Sequence, residues 1–113
     1  MSRFDEKIEQ YQGELNRLNL EFDIELLKII TKKLGPSIYK VDAEKVSGSD
    51  EREIETVKYN FLIKKLGLED SPELDKAIST VIHLLGKSNR NKYRAIFYYL
   101  LVKELKQEAF YVS

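Results

Sequence analysis

Residues 86–101 read GKSNRNKYRAIFYYLL, and this stretch decides the fold. It begins with a polar, basic segment and runs into Ala95–Val102, which carries no charged side chain. A helix that is apolar on every side is covered by neighbours around most of its circumference. We therefore predict a central C-terminal helix that is capped at its start by Ser88 and ends near Lys106.

Four further helices are predicted upstream of this one. Their start signals are Ser2, Asp23, Ser49 or Asp50, and Ser71 followed by Pro72. The glycines that suit a helix C-terminal cap are Gly35, Gly67 and Gly86. The third helix is predicted as one α-helix that ends near Leu66, with its apolar side at Ile54, Val57, Phe61, Leu62 and Leu66. No stretch alternates as a β-strand does, so the predicted fold is an all-α, compact, single-domain bundle of about five helices over residues 1–113.

The composition excludes several classes of protein. The chain has 113 residues, 42% of them hydrophobic, and no cysteine, which is typical of a globular domain without disulfides, thiolate catalysis or Cys-based zinc sites. Its longest apolar run, residues 95–102, is far shorter than the roughly 20 residues of a membrane-spanning helix. The first residues also lack the apolar core of a signal peptide. We therefore expect a cytoplasmic protein without membrane association.

Positive charge is concentrated late in the chain. No acidic residue lies between Asp75 and Glu104, whereas the basic residues there are Lys76, Lys87, Arg90, Lys92, Arg94 and Lys103. A helix start at Ser88 would offer free N–H groups to a phosphate, a sulfate or a nucleic-acid backbone. The predicted anion-binding residues are Lys87, Ser88, Arg90, Lys92 and Arg94. The alternative is structural: Ser88 only caps the helix, and the two arginines pair with acids such as Glu69, Asp70 or Asp75.

No catalytic or metal site is predicted. The tripeptide GKS at residues 86–88 resembles the end of a phosphate-binding loop, but Val81 stands where that loop needs a glycine. His83, the only histidine, falls on the polar face of its predicted helix and has no second ligand for zinc and no neighbouring carboxylate for a triad. We expect a protein without metal or cofactor that is not an enzyme.

A resemblance to a known family is carried, in chain order, by GPSIY (35–39), VSGSD (46–50), ETVKYNFLIKKLGL (55–68) and GKSNRNKYRAIFYYLL (86–101). Over residues 35–101 the chain resembles a bacterial family of proteins of similar length that is catalogued as a domain of unknown function. The resemblance implies a compact, helical, cytoplasmic bacterial protein. It implies no activity, cofactor or binding residue.

Two functions of different classes are predicted. The first is a small non-enzymatic binding module that accepts an anionic ligand or a nucleic-acid backbone at residues 87–94. The alternative is a structural or protein-interaction protein that forms a homo-oligomer. This alternative rests on the long N-terminal helix and on the late aromatic side chains Phe97, Tyr98, Tyr99, Phe110 and Tyr111.

Overall fold

The computed structural model describes residues 2–112, which form an all-α bundle. Its α-helices are α1 (Arg3–Arg17), α2 (Ile24–Leu34), α3 (Glu51–Thr56), α4 (Pro72–Leu85) and α5 (Arg94–Glu104). A π-helix, Val57–Lys65, continues α3, and short 3₁₀ turns cover Gly35–Tyr39 and Glu108–Phe110. Within residues 2–112 the only β-type pairing is an isolated antiparallel bridge between Lys45 and Tyr93. The predicted all-α bundle of about five helices is confirmed.

Helix α5 lies at the centre of the bundle, as predicted. Every residue from Ala95 to Val102 is buried, and the helix packs against α1, α2 and α4. Burial of each large apolar side chain contributes roughly 1.5–3 kcal/mol relative to exposure. The Tyr99 hydroxyl accepts a hydrogen bond from the backbone N–H of Asp23 at 2.7 Å. The central helix therefore also fixes the start of α2.

The local signals at the starts of α1 and α2 and at the end of α4 act as predicted, whereas the Ser71 side chain makes no capping hydrogen bond at the start of α4. Ser2 and Asp5 form a capping box at the start of α1. The Asp23 carboxylate accepts hydrogen bonds from the first N–H groups of α2. Gly86 ends α4 with φ of 96°, in the region that favours glycine. Because these residues satisfy backbone groups that a helix end leaves free, the sequence alone places these boundaries well.

The third predicted helix is α-helical only at its start, so this part of the prediction is wrong. After Thr56 the chain adopts a π-helix, in which each N–H bonds five residues back rather than four. The buried apolar side chains of this segment are spaced by four, one and four residues: Val57, Phe61, Leu62 and, directly after the π-helix, Leu66. Because a π-helix has more residues per turn than an α-helix, it gathers all four on the buried side, whereas an α-helix would spread them around half its circumference.

The predicted start of the last helix is also wrong, because α5 begins at Arg94 rather than at Ser88. The Asn89 side chain accepts a hydrogen bond from the N–H of Asn91 and donates one to the carbonyl of Leu85. Such side-chain bonds hold the backbone in a turn and compete with a helix. The helix also ends slightly early, at Glu104. Residues 86–93 therefore form a loop between α4 and α5.

Candidate functional site

Two loops that are distant in sequence form a groove beside the start of α5. The backbone N–H of Val46 donates to the carbonyl of Lys92 at 2.8 Å, and the N–H of Arg94 donates to the carbonyl of Glu44 at 2.7 Å. These two hydrogen bonds hold residues 44–46 against residues 92–94. The groove between the loops has a volume of about 500 Å³. Its lining residues define what we call the basic groove: Lys45, Val46, Ser47, Gly48, Ser49, Lys87, Ser88, Asn89, Arg90 and Lys92.

The charged side chains of the basic groove are all positive. They are Lys45, Lys87, Arg90 and Lys92, and no acidic residue lines the groove. Within residues 2–112 none of these side chains forms an ion pair with a carboxylate. Clustered charges of one sign in a concave site raise the local concentration of counter-ions. The groove is therefore electrostatically suited to an anion.

Lys92 is the buried member of this set. The residue is only 4% exposed, and its ammonium donates hydrogen bonds to the backbone carbonyls of Lys87 and Asn89. Burial lowers the pKa of Lys92, because removal from water disfavours its charged form. An ammonium has three N–H donors, so two carbonyls leave one donor for a further acceptor. This cation is buried with neutral partners only.

Gly48 allows the two loops to approach closely. A Cβ atom at this position would lie 3.1 Å from Cε of Lys92, and 3.3 Å from its Cδ. Such contacts are tighter than ordinary van der Waals contact, so a larger residue would push the Lys92 stem aside. The glycine of the VSGSD segment is thus explained by a tertiary contact, in addition to its place in a turn.

Asn89 and Glu14 attach the loop of residues 86–93 to α1. The Asn89 side-chain amide donates to the Glu14 carboxylate at 3.0 Å, and Arg17 donates to the same carboxylate at 2.7 Å. The Arg17 guanidinium, assisted by Asn89, holds the pKa of the buried Glu14 carboxyl below its ordinary value, although burial opposes this shift. An ionised carboxylate therefore positions one wall of the groove.

The structure brings together four of the five predicted anion-binding residues and separates the fifth. Lys87, Ser88, Arg90 and Lys92 line the basic groove. They do so on a loop, so the helix-start geometry expected at Ser88 is absent. Lys87, Ser88 and Arg90 are exposed.

Arg94 lies outside the groove, and its side chain bonds to other residues of the fold. Its guanidinium donates to the carbonyl of Ala43 at 2.7 Å, to the carboxylate of Glu53 at 2.6 Å and to the hydroxyl of Tyr98 at 3.0 Å. The alternative prediction holds for Arg94, which pairs with an acid, although the partner is Glu53. It is wrong for Ser88, which does not precede the helix, and for Arg90, which forms no ion pair within residues 2–112. Of the acids that were expected to serve, Asp70 and Asp75 pair instead with Lys58.

The loop that contains residues 45–49 was not predicted as part of the site from the sequence. Lys45, Ser47, Gly48 and Ser49 line the groove, yet they precede the predicted basic cluster by some forty positions. The sequence offers one signal, the Ser-Gly-Ser turn that follows Lys45 and Val46. Nothing local in it indicates a partner near residue 92. A tertiary pairing of this kind is not encoded in hydrophobic periodicity.

Among residues 2–112, no group of three or more His, Asp or Glu side chains is arranged to hold a metal ion. His83 is exposed, as predicted. In the same part of the chain, none of the helices combines the length and apolar character that a membrane span requires.

Comparison with known proteins identifies a family. No curated protein matches the chain significantly. A family model described as "protein of unknown function (DUF2853)" matches residues 10–109. The match extends beyond residues 35–101, which carry the resemblance, and includes the second half of α1 and all of α2 to α5. The chain therefore belongs to this family of unknown function, as the resemblance implied.

Proposed function

We propose that the protein is a small non-enzymatic binding module that accepts a phosphate group or a similar anion in the basic groove. The observation that carries the proposal is the burial of Lys92 with two carbonyl partners and no carboxylate, in a groove lined by three further cations. A buried charge is costly unless a counter-charge accompanies it. An anion in the groove supplies that counter-charge.

The basic groove offers donors at different depths. Lys92 can place its remaining N–H against an anion from the floor, whereas Lys87 and Arg90 are exposed and can close over it. Gly48 and Ser49 also line the groove, and within residues 2–112 neither backbone N–H donates to another backbone group outside the helices. An attraction of about 4 kcal/mol acts between opposite charges 4 Å apart near a protein surface. After the costs of association and desolvation are subtracted, we expect several such contacts to bind phosphate with a dissociation constant of about a millimolar.

A titration of the isotopically labelled protein with inorganic phosphate, followed through backbone amide NMR signals, tests this proposal. We expect salt-sensitive shifts confined to residues 45–49 and 87–92. The variant Lys92→Met should lose the response, and the matched control Lys64→Met, which removes an exposed charge outside the groove, should keep it. Thermal unfolding checks that both variants fold.

A second variant keeps the test decisive if Lys92→Met is unstable. The double change Lys87→Ala, Arg90→Ala removes only exposed side chains, so it should weaken phosphate binding while the fold stays intact. Phosphate shifts that are unchanged in this double variant, or that lie elsewhere, contradict the proposal.

A short RNA, titrated in parallel, tests whether the groove binds a nucleic-acid backbone as well as free phosphate. Its affinity should then fall with salt at a slope of about −0.7 per contacted phosphate.

The alternative function, self-association, has less support. Phe97, Tyr98 and Tyr99 are buried within the chain, so they are not available to a partner. The apolar side of α1 is also buried within the chain, against α2 and α5. The remaining support is the C-terminal segment, where Phe110 is 46% exposed and Val112 is 54% exposed. Light scattering at high micromolar concentration tests it, and a monomer contradicts it. The cytoplasmic location, the bacterial origin and the absence of enzymatic activity stay predictions.

A further inference from the structure

An apolar cleft adjoins the basic groove on the side of α3 and α4. It has a volume of about 280 Å³ and is lined on its apolar side by Ile54, Ile78 and Ile82. Its polar lining residues include Asp75, Ser79 and His83. A cavity of about 150 Å³ is enough to hold a benzene ring. The cleft can therefore accommodate an aromatic ring or a short aliphatic chain.

The cleft and the basic groove are contiguous. Gly48 and Lys87 line both of them. A Cβ atom on Gly48 would lie 3.1 Å from Cε of Lys92, in the groove, and 3.6 Å from Cγ1 of Ile82, in the cleft. Gly48 therefore stands at the boundary, and its lack of a side chain leaves the two spaces adjacent. A single small molecule can occupy both.

The charges divide this combined site into two different halves. The groove half carries four cations and no acid. The cleft half has one acid, Asp75, whose carboxylate lies 3.1 Å from the Lys58 ammonium. That ion pair reduces the repulsion that Asp75 would exert on a bound anion. An anionic group is therefore favoured in the groove and an apolar group in the cleft.

The geometry points to a phosphate monoester with an apolar ring or short chain as the ligand class of this site. This inference rests on the proposed function, because the phosphate is the part that the basic groove binds. The phosphate contacts Lys92, Lys87 and Arg90, and the apolar group packs on Ile54 and Ile82. Burial of the apolar group makes such a monoester bind more tightly than inorganic phosphate.

Phenyl phosphate and inorganic phosphate, titrated separately into the full chain and followed by amide NMR, test the inference. We expect phenyl phosphate to bind about tenfold more tightly, since burying part of a ring adds apolar contact. Phenyl phosphate should also shift the amides of α4 from Asp75 to His83, which inorganic phosphate leaves unchanged.

Two variants separate the cleft from the groove. Ser79→Phe places a ring at an exposed position that lines the cleft, so it should remove the tenfold preference and leave the affinity for inorganic phosphate unchanged. Ile54→Ser should also reduce the preference for phenyl phosphate, because it removes an apolar side chain that lines the cleft. The matched control for the isoleucine change is Leu84→Ser, because Leu84 is an exposed apolar residue of α4, 41% accessible, that does not line the cleft.

The outcomes distinguish the two proposals. Equal affinities for the two compounds, with shifts only at the groove, overturn the monoester inference and leave the anion site standing. No binding of either compound overturns both. A preference for phenyl phosphate that survives Ser79→Phe also overturns the inference, because the ring then binds outside the cleft.

Discussion

Two adjoining segments of the chain, residues 86–93 and residues 95–102, differ in what determines their conformation. The second segment is a continuous apolar run that is buried on all sides in α5. The first is polar, and its shape depends on contacts with residues 14, 45 and 46. The central helix can thus be inferred from its own composition, whereas the loop cannot.

Because of this difference, we expect α5 to determine the stability of the fold and the loop to determine anion binding. The residues of α5 contribute to the core, where a change in one side chain affects the whole fold. The loop holds three of the four cations of the basic groove, and it is attached by a few hydrogen bonds that can be removed singly. Substitutions in α5 should therefore lower the stability more than substitutions in the loop, and their effects should extend further through the fold.

The largest effect is expected in the central helix. Phe97→Ala removes a fully buried ring and should lower the free energy of unfolding by about 3–5 kcal/mol. Urea denaturation measures this loss. Phe110→Ala, which removes a half-exposed ring, is the control and should change it by less than about 1 kcal/mol. A small effect at Phe97 would mean that α5 is not the centre of the core.

A smaller effect is expected at Arg94, where the two segments meet. Arg94→Ala leaves the Glu53 carboxylate and the Ala43 carbonyl without their shared donor, and it should cost about 2–3 kcal/mol. Arg94→Lys should recover only part of this, since one ammonium cannot reproduce the guanidinium fork. Thermal unfolding measures both variants, with the exposed Arg52→Ala as the control. Loss of phosphate binding without loss of stability would assign Arg94 to the anion site instead.

The sequence predicts features that depend on neighbours in the chain and misses those that depend on distant ones. The caps at Ser2 and Asp23 and the helix end at Gly86 are local, and all three are where the pattern puts them. The π-helix was encoded in the spacing of Val57, Phe61, Leu62 and Leu66, but that spacing was interpreted with an α-helical period. The groove itself depends on the pairing of Lys45 with Tyr93, which no local pattern contains.

The basic cluster illustrates the same limit within a single short segment. Its residue types predicted an anion site, and Lys87, Ser88, Arg90 and Lys92 do lie together. The pattern could not indicate that Lys92 is buried or that Arg94 is engaged by Glu53, because both facts depend on the fold around them. Composition can suggest the chemistry of a site, whereas burial decides which of its residues are available.

The smallest effect is expected at the contact that attaches the loop to α1. Glu14→Gln keeps an acceptor for Asn89 but removes the charge that Arg17 stabilises, so it should cost about 1 kcal/mol at neutral pH. The folded protein holds the pKa of Glu14 below its unfolded value. The carboxylate therefore stabilises the fold above the ordinary glutamate pKa of about 4.3, and this contribution is lost as the pH falls through the lower, folded pKa.

The contribution of Glu14 to stability should depend on pH. The stability difference between wild type and Glu14→Gln, measured by urea denaturation, should shrink toward zero as acid protonates Glu14 in the wild-type protein. Glu9→Gln, on an exposed position of the same helix, is the matched control and should show a smaller difference at neutral pH. NMR signals of the loop should move in the Glu14 variant, while those of residues 95–102 stay in place. A disturbance that spreads through α5 would show that the loop and the central helix are one cooperative unit, and the distinction between the two segments would then fail.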